Sequence, residues 1–138
     1  MSRLIATIEK IERVDNLHLV TFLCCGEVLK MVSLELGERM RVGTRVVLGC
    51  KPTAVAVAKI KEGESLDQTL SYTNQIAVKV EKIQQGELLA SVMLSFGAAS
   101  LEAIVTAESI DRLQLEEGEH VTALIKVSEL SIVEVLDD

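Results

Sequence analysis

The chain has 138 residues, with 14 Lys and Arg against 21 Asp and Glu and a formal net charge of −7. That is room for one ordinary domain or two very small ones, and 49% hydrophobic residues in so short a chain point to a homo-oligomer that covers the surplus. The negative sign and the scarcity of rings (Phe22, Phe96, Tyr72) exclude nucleic acid. The apolar runs are too short to span a membrane, and Glu9, Glu12 and Asp15 stand where a signal peptide would be uncharged. A reduced, cytoplasmic protein with no membrane insertion is expected.

In chain order, the first apolar stretch is LIATIEKI (4–11), followed by a hairpin centred on Cys24, Cys25 and Gly26. KMVSLEL (30–36) and GTRVVLGCKPTAVAVAKI (43–60) come next. These stretches return in the second half of the chain. LIATIEKI matches IAVKVEKI (76–83) at an offset of 72, and KMVSLEL matches AIVTAES (103–109) at 73. Gly43 falls on Gly118, Val46 on Val121, Lys51 on Lys126, Thr53 on Ser128 and Val55 on Leu130, all at 75. The chain is two copies of one pattern. The drift predicts one extra residue in a hairpin of the second copy and two more after its short helix.

The expected organisation is a first, divergent repeat over 1–58, a linker over 59–69 and a second repeat over 70–138. The linker KIKEGESLDQT is polar and lacks an apolar period. Residues 1–69 carry ten basic and nine acidic side chains; residues 70–138 carry four basic and twelve acidic. The two copies therefore face different surroundings.

Each copy reads as β. Ile76, Val78 and Val80 alternate with Ala77, Lys79 and Glu81, a period of two. Gln84, Gln85 and Gly86 turn the chain into LLASVMLS, and Gly97 to Ser100 turn it into LEAIVT. A short helix is predicted over Ala107 to Leu113, capped by Thr106, with Glu108 in its first turn. VTALIK and LSIVEV close the copy as its fourth and fifth strands. The predicted fold class is all-β: two tandem OB-like five-stranded small barrels, each with one short helix.

No catalytic set stands out, and the protein is expected not to be an enzyme. His18 and His120 stand alone at strand positions and read as structural. Cys24 and Cys25 read as small buried residues at a tight turn, and Cys24, Cys25 and Cys50 have no metal-site spacing. What recurs is a small hydroxyl beside a lysine. Ser71 and Thr73 precede the first strand of the second copy, Thr106 and Ser109 head its helix, and Lys126 and Ser128 open its last strand. With the free N–H groups of a helix start, these donors suit a small oxyanion. A donor-only pocket prefers a fully deprotonated dianion to phosphate, which keeps a proton at neutral pH.

The second copy resembles the Mop, or TOBE, domain of molybdate-binding proteins. The family's S-A-R-N start, G-x-V-N-S-E-V hairpin, V-T-x-E-S block, L-x-L-x-x-G-x-x-V-x-A run and I-K-A-S motif have counterparts in order. They are Ser71-Tyr72-Thr73-Asn74, Gly86 to Val92, Val105 to Ser109, Leu113 to Ala123, and Ile125 to Ser128. The first copy keeps Val32 to Glu35 and Lys51-Pro52-Thr53, lacks the lead-in before the motif's Asn, and has Leu36 where the helix serine stands. The tandem arrangement resembles the di-domain molbindins. The resemblance implies a molybdate (or tungstate) ligand, threefold homo-oligomers and sites at interfaces between domains. It carries the site onto Ser71, Thr73, Thr106, Ser109, Lys126 and Ser128, with Ser33, Lys51 and Thr53 as weaker members. Thr73 stands where the family usually has Arg. The implied role is storage, buffering or homeostasis of the oxyanion in the cytoplasm. The alternatives are a sensing module that acts on a transporter or regulator, and a scaffold that no longer binds the anion.

Overall fold

The computed structural model describes residues 2–60 and 69–136. Most of the expected linker lies outside the described residues. The strands are β1 (Ser2–Val14), β2 (Leu17–Cys24), β3 (Glu27–Ser33), β4 (Arg45–Cys50) and β5 (Ala56–Ala58), then β6 (Asn74–Gln85), β7 (Leu89–Phe96), β8 (Ala99–Thr106), β9 (His120–Ile125) and β10 (Ser131–Val135). One helix, α1 (Ala107–Leu113), joins β8 to β9, and a 3-10 turn, Pro52–Ala54, precedes β5. No helix among the described residues is long and apolar enough to cross a membrane.

The period-two reading of β6 holds. Ile76, Val78 and Val80 are buried, while Ala77, Lys79 and Glu81 face outward. The same alternation buries Leu4, Ala6 and Ile8 on β1. Each long strand carries a bulge, between Ile8 and Lys10 in one copy and between Val80 and Lys82 in the other. The bulge bends the strand so that it can serve both neighbours of a small barrel. A glycine locks each bend. Gly43 and Gly118 both have φ +94°, a left-handed conformation that favours glycine. Gly43 N–H donates to Ile8 O at 2.8 Å and Gly118 N–H to Val80 O at 2.7 Å.

The strands form two OB-like five-stranded sheets, in the orders β10-β4-β1-β2-β3 and β5-β9-β6-β7-β8. Each sheet takes its fifth strand from the other copy. Ser131 of β10 lies opposite Gly49 of β4, and Ala56 of β5 opposite Leu124 of β9, the same register displaced by 75 residues. The sequence alone suggests that each copy closes with its own last strand. Periodicity marks a strand but not its partner, and the turns at Lys51 and Lys126 send the chain across. The result is one continuous core, from Leu4 and Phe22 through Ile76 and Leu94 to Ile125 and Leu130.

Two further expectations need correction. A helix in each copy is predicted, but only the second has one; residues 34–44 of the first hold turns and irregular chain. The extra residues also fall elsewhere than in a hairpin. Cys24 pairs with Glu27 and Phe96 with Ala99, and His18 pairs with Ser33 and Ala90 with Val105, so the offset stays at 72 through β8. It is 75 at β9, which places all three additional residues in the connection that holds α1. Three residues are most of a helical turn. The shorter connection, interrupted by Gly37, has too little chain for a helix.

The copies are fastened by side chains as well as by exchanged strands. Asn74 is fully buried. Its Oδ1 accepts from Lys30 N–H at 2.7 Å and its Nδ2 donates to Lys30 O at 2.9 Å, so β6 closes the free edge of β3. At the equivalent place Ser2 Oγ accepts from Glu102 N–H of β8, at 2.9 Å. Beyond β5, Lys59 Nζ donates to the carbonyls of Leu113 and Gln114, at 2.9 and 3.1 Å, and pairs with Glu119 at 3.2 Å. A cation at the carbonyl end of α1 is favourable in charge and in hydrogen bonding.

Candidate functional site

The strand exchange builds the site. After β4 the chain turns through Lys51-Pro52-Thr53, with Ala54 N–H donating to Lys51 O at 2.9 Å. After β9 it turns through Lys126-Val127-Ser128, with Glu129 N–H donating to Lys126 O at 3.0 Å. Both turns are crossings from one sheet to the other, and each carries a lysine and a hydroxyl two residues later. Pro52 pre-sets the first turn through its fixed φ. The second is held from outside, where Val32 N–H of β3 donates to Val127 O at 3.0 Å.

Lys51 and Ser128, from different copies, line one cleft of about 210 Å³, together with Gly49, Cys50, Glu129, Leu130 and Ser131. Lys51, Thr53, Lys126 and Ser128 are all exposed, so their ammonium and hydroxyl groups are open to a ligand. Cys50 forms the buried floor of the cleft. Burial and then the neighbouring Glu129 carboxylate push its thiol up to about 11, so it stays neutral at pH 7. Glu129 and Ser131 escape sequence reasoning, because the strand exchange that brings them beside Lys51 is not written in any local pattern.

The Ser71 and Thr73 segment leads into β6. Asn74 pairs with Ile125, the residue before Lys126, so this segment and the second crossing lie at the same end of the β6–β9 pair. Ser71 and Thr73 line an open hollow of about 430 Å³ with Leu70, Tyr72 and Gln75. Gln75 Nε2 donates to Tyr72 O at 2.9 Å and holds the segment in place.

Thr106 and Ser109 meet at the start of α1. Thr106 Oγ1 accepts from Ser109 N–H at 3.1 Å as the helix cap, and the two hydroxyl oxygens are 2.6 Å apart. One hydroxyl proton is used between them and one is left for a ligand. Arg112 Nη2 approaches Ser109 Oγ at 3.4 Å while its Nη1 pairs with Glu108. Arg112 is a further residue that the sequence motifs do not mark. Its signal is the helical spacing from Glu108 and Ser109, four and three residues, which places all three on one face. β8 packs against the Pro52–Ala54 turn, so the helix start belongs to the side of the first crossing.

Ser33 occupies a different place from Thr106. By register its counterpart is Val105, and Leu34 stands where Thr106 does. Ser33 instead hydrogen-bonds locally with Glu35, accepting from its N–H at 3.3 Å and donating to its carbonyl. No hydrogen bond among the described residues links Thr106 or Ser109 to Lys126 or Ser128. The two histidines do not enter the site: His18 pairs across β2 with Ser33 and Arg13, and His120 pairs with Lys79 at the start of β9. Of the hairpin cysteines only Cys24 is buried; Cys25 is exposed in a left-handed turn, at φ +50°. No group of three or more His, Cys, Asp or Glu among the described residues could hold a metal ion.

Comparison with known proteins bears on the fold and the family. The TOBE domain model matches residues 70–132. Molybdenum-pterin-binding protein 1 of Clostridium pasteurianum is 30% identical over 66 residues, 47% of this chain and 97% of that protein. The crystal structure of the cytoplasmic molybdate-binding protein ModG, in a form with molybdate bound, superposes with a TM-score of 0.84 at 24% identity, over 94% of this chain and 93% of that one. That likeness spans both sheets and confirms the two-barrel fold. A molybdate-binding protein from Sporomusa ovata aligns at 32% identity over 49% of this chain and 97% of its own, with a TM-score of 0.43. The matched segment, the ordered motifs from Ser71 to Ser128 and the paired barrels lead to one assignment: the chain belongs to the TOBE-domain family of the molybdenum-pterin-binding proteins.

Proposed function

We propose that the chain is a cytoplasmic binder of molybdate or tungstate that stores and buffers the oxyanion and releases it unchanged. The observation that supports this most directly is the pair of chain crossings. They set Lys51 with Thr53 and Lys126 with Ser128 at equivalent, exposed positions. A tetrahedral dianion only accepts hydrogen bonds. A lysine ammonium about 4 Å from a dianion contributes roughly 8 kcal/mol before desolvation, at an effective dielectric of about 20. Each hydroxyl adds only about 1–3 kcal/mol. The lysines therefore decide whether the anion is held, and Ser128, Thr53, Ser71 and Thr73 decide its orientation. No bond is made or broken, so the protein acts without catalysis.

The Thr106 and Ser109 pair offers one free hydroxyl proton and has no bond to the Lys126 crossing. A second subunit that brings this helix start against a neighbour's crossing would complete the donor set. The exposed Leu88 and Leu89, 83% and 57% accessible, lie beside that helix start and supply apolar surface for such an assembly. Such an assembly is a homo-oligomer with ligand-dependent stability, and the family resemblance gives it threefold symmetry.

Calorimetric titration with molybdate, with sulfate and phosphate as controls, tests the proposal. Micromolar or tighter molybdate binding, lost in Lys126→Ala and weak for both controls, is expected. A wild-type protein that takes up no molybdate, or takes up phosphate equally well, would overturn it.

A further inference from the structure

The two crossings are equivalent in backbone but unlike in charge. Ala54 N–H bonds to Lys51 O as Glu129 N–H bonds to Lys126 O. The strands that follow have the same register, Ala56 opposite Leu124 and Ser131 opposite Gly49. In the cleft of Lys51 the turn arriving from the other copy brings Ser128, Glu129 and Ser131. By the shared register, the residues that correspond to these at the Lys126 crossing are Thr53, Ala54 and Ala56. A carboxylate in one stands where a methyl group stands in the other.

We propose that Glu129 makes the Lys51 cleft a filter against fully deprotonated tetrahedral dianions, so that the two crossings of one chain are unequal sites and the Lys126 crossing is the stronger. The inference rests on the oxyanion reading given above and names the residue that sets its selectivity. The carboxylate is negative and can only accept hydrogen bonds, as can the dianion, so the two share no proton and repel. The repulsion grows with the ligand's double charge and opposes the pull of Lys51. Ser128 and Ser131, which line the same cleft, can turn their hydroxyls toward Glu129, which takes donors away from an incoming anion. At the Lys126 crossing Ala54 exerts no such competition, and Glu129, although it ends the turn that begins at Lys126, lines the cleft of Lys51, which Lys126 does not line.

The test is a molybdate titration of the full chain as wild type, Glu129→Gln, Glu129→Gln with Lys51→Ala, and Ala54→Glu. Glu129 is exposed, so its replacement by the isosteric amide leaves packing unchanged. Glu129→Gln should add binding equivalents per chain or tighten the weaker class of site at least tenfold, and the added Lys51→Ala should cancel the gain. Ala54→Glu should weaken the stronger class at least tenfold. If wild type binds molybdate and Glu129→Gln changes neither stoichiometry nor affinity, the filter is wrong and the oxyanion reading stands. If neither wild type nor Glu129→Gln binds, both fall together.

Discussion

The two repeats share strand order, register, bulge position and a lysine with a hydroxyl at each crossing, yet they differ at several places where a side chain does a job that the backbone does not require. Asn74 clamps Lys30 through two hydrogen bonds, where Ser2 makes one to Glu102. The second repeat caps a helix with Thr106, where the first has Leu34 in a shorter connection. The first repeat buries thiols at Cys24 and Cys50, where the second has Phe96 and Ile125. Two copies that exchange their last strands must keep identical registers, because each supplies the edge that the other needs. Side chains away from that shared ladder are free to diverge, and there the joints, the thiols and the charge at the crossings have become unequal.

The thiols offer the largest way to break the comparison. Burial, then Cys25, pushes Cys24 up to about 12 from its ordinary 9.0; burial, then Glu129, pushes Cys50 up to about 11. A thiol that ionises at 9 when unfolded and near 11 or 12 when folded stabilises the fold fully below pH 9. That contribution is lost as pH rises toward the folded values. The unfolded state then binds fewer protons than the native one, so stability falls with pH, by up to about 1.4 kcal/mol per unit for each thiol. At roughly pH 10.5 the two together cost about 4 kcal/mol. Urea unfolding from pH 8 to 10.5 should show this slope in wild type and less than half of it in Cys24→Ala with Cys50→Ala. An unchanged slope in the double variant would assign the alkaline loss to other groups.

The interlocking side chains come next. Asn74→Ala strands both Lys30 backbone groups at a part-buried edge and should cost about 3 kcal/mol, whereas Ser2→Ala strands one group and should cost about 1 kcal/mol. Denaturant midpoints of the two variants measure the difference directly. Equal losses would mean that the Asn74 clamp adds nothing over a single bond.

The architecture was legible in the sequence because strands, turns and the repeat all leave local marks: alternation at Ile76 to Val80, glycines at 43 and 118, and the cap at Thr106. The exchange was not legible. VTALIK and LSIVEV are evident strands, but nothing in either says which sheet it joins, since that depends on the direction of a turn at Lys126 and, for LSIVEV, on partners more than a full repeat away. The consequence reached the site. The lysines and hydroxyls could be picked out as single positions. That Lys51 faces Ser128 and Glu129 follows only from the crossing. The misplaced alignment of Ser33 with Thr106 has a similar origin. Residue identity alone pairs the two hydroxyls and sets a gap in a hairpin. The ladder holds its register through β8 and puts the gap in the helix connection.

The smallest expected effect tests that correction. Thr106 caps a helix, with its Oγ1 accepting from Ser109 N–H, and its loss exposes an unpaired donor at the helix start. Thr106→Ala should therefore cost about 1 kcal/mol. Ser33, which was aligned with it, caps no helix and bonds only to the Glu35 backbone two residues on, in an exposed turn. Water replaces such a bond at little cost, so Ser33→Ala should change stability by no more than about 0.5 kcal/mol. The pair also separates structure from ligand binding. Thr106→Ser keeps the cap and should recover the stability, and on the oxyanion reading it recovers molybdate affinity as well. A Ser33→Ala loss as large as that of Thr106→Ala would mean that residues 33–36 carry capped structure equivalent to the start of α1, and that the two hydroxyls are counterparts after all.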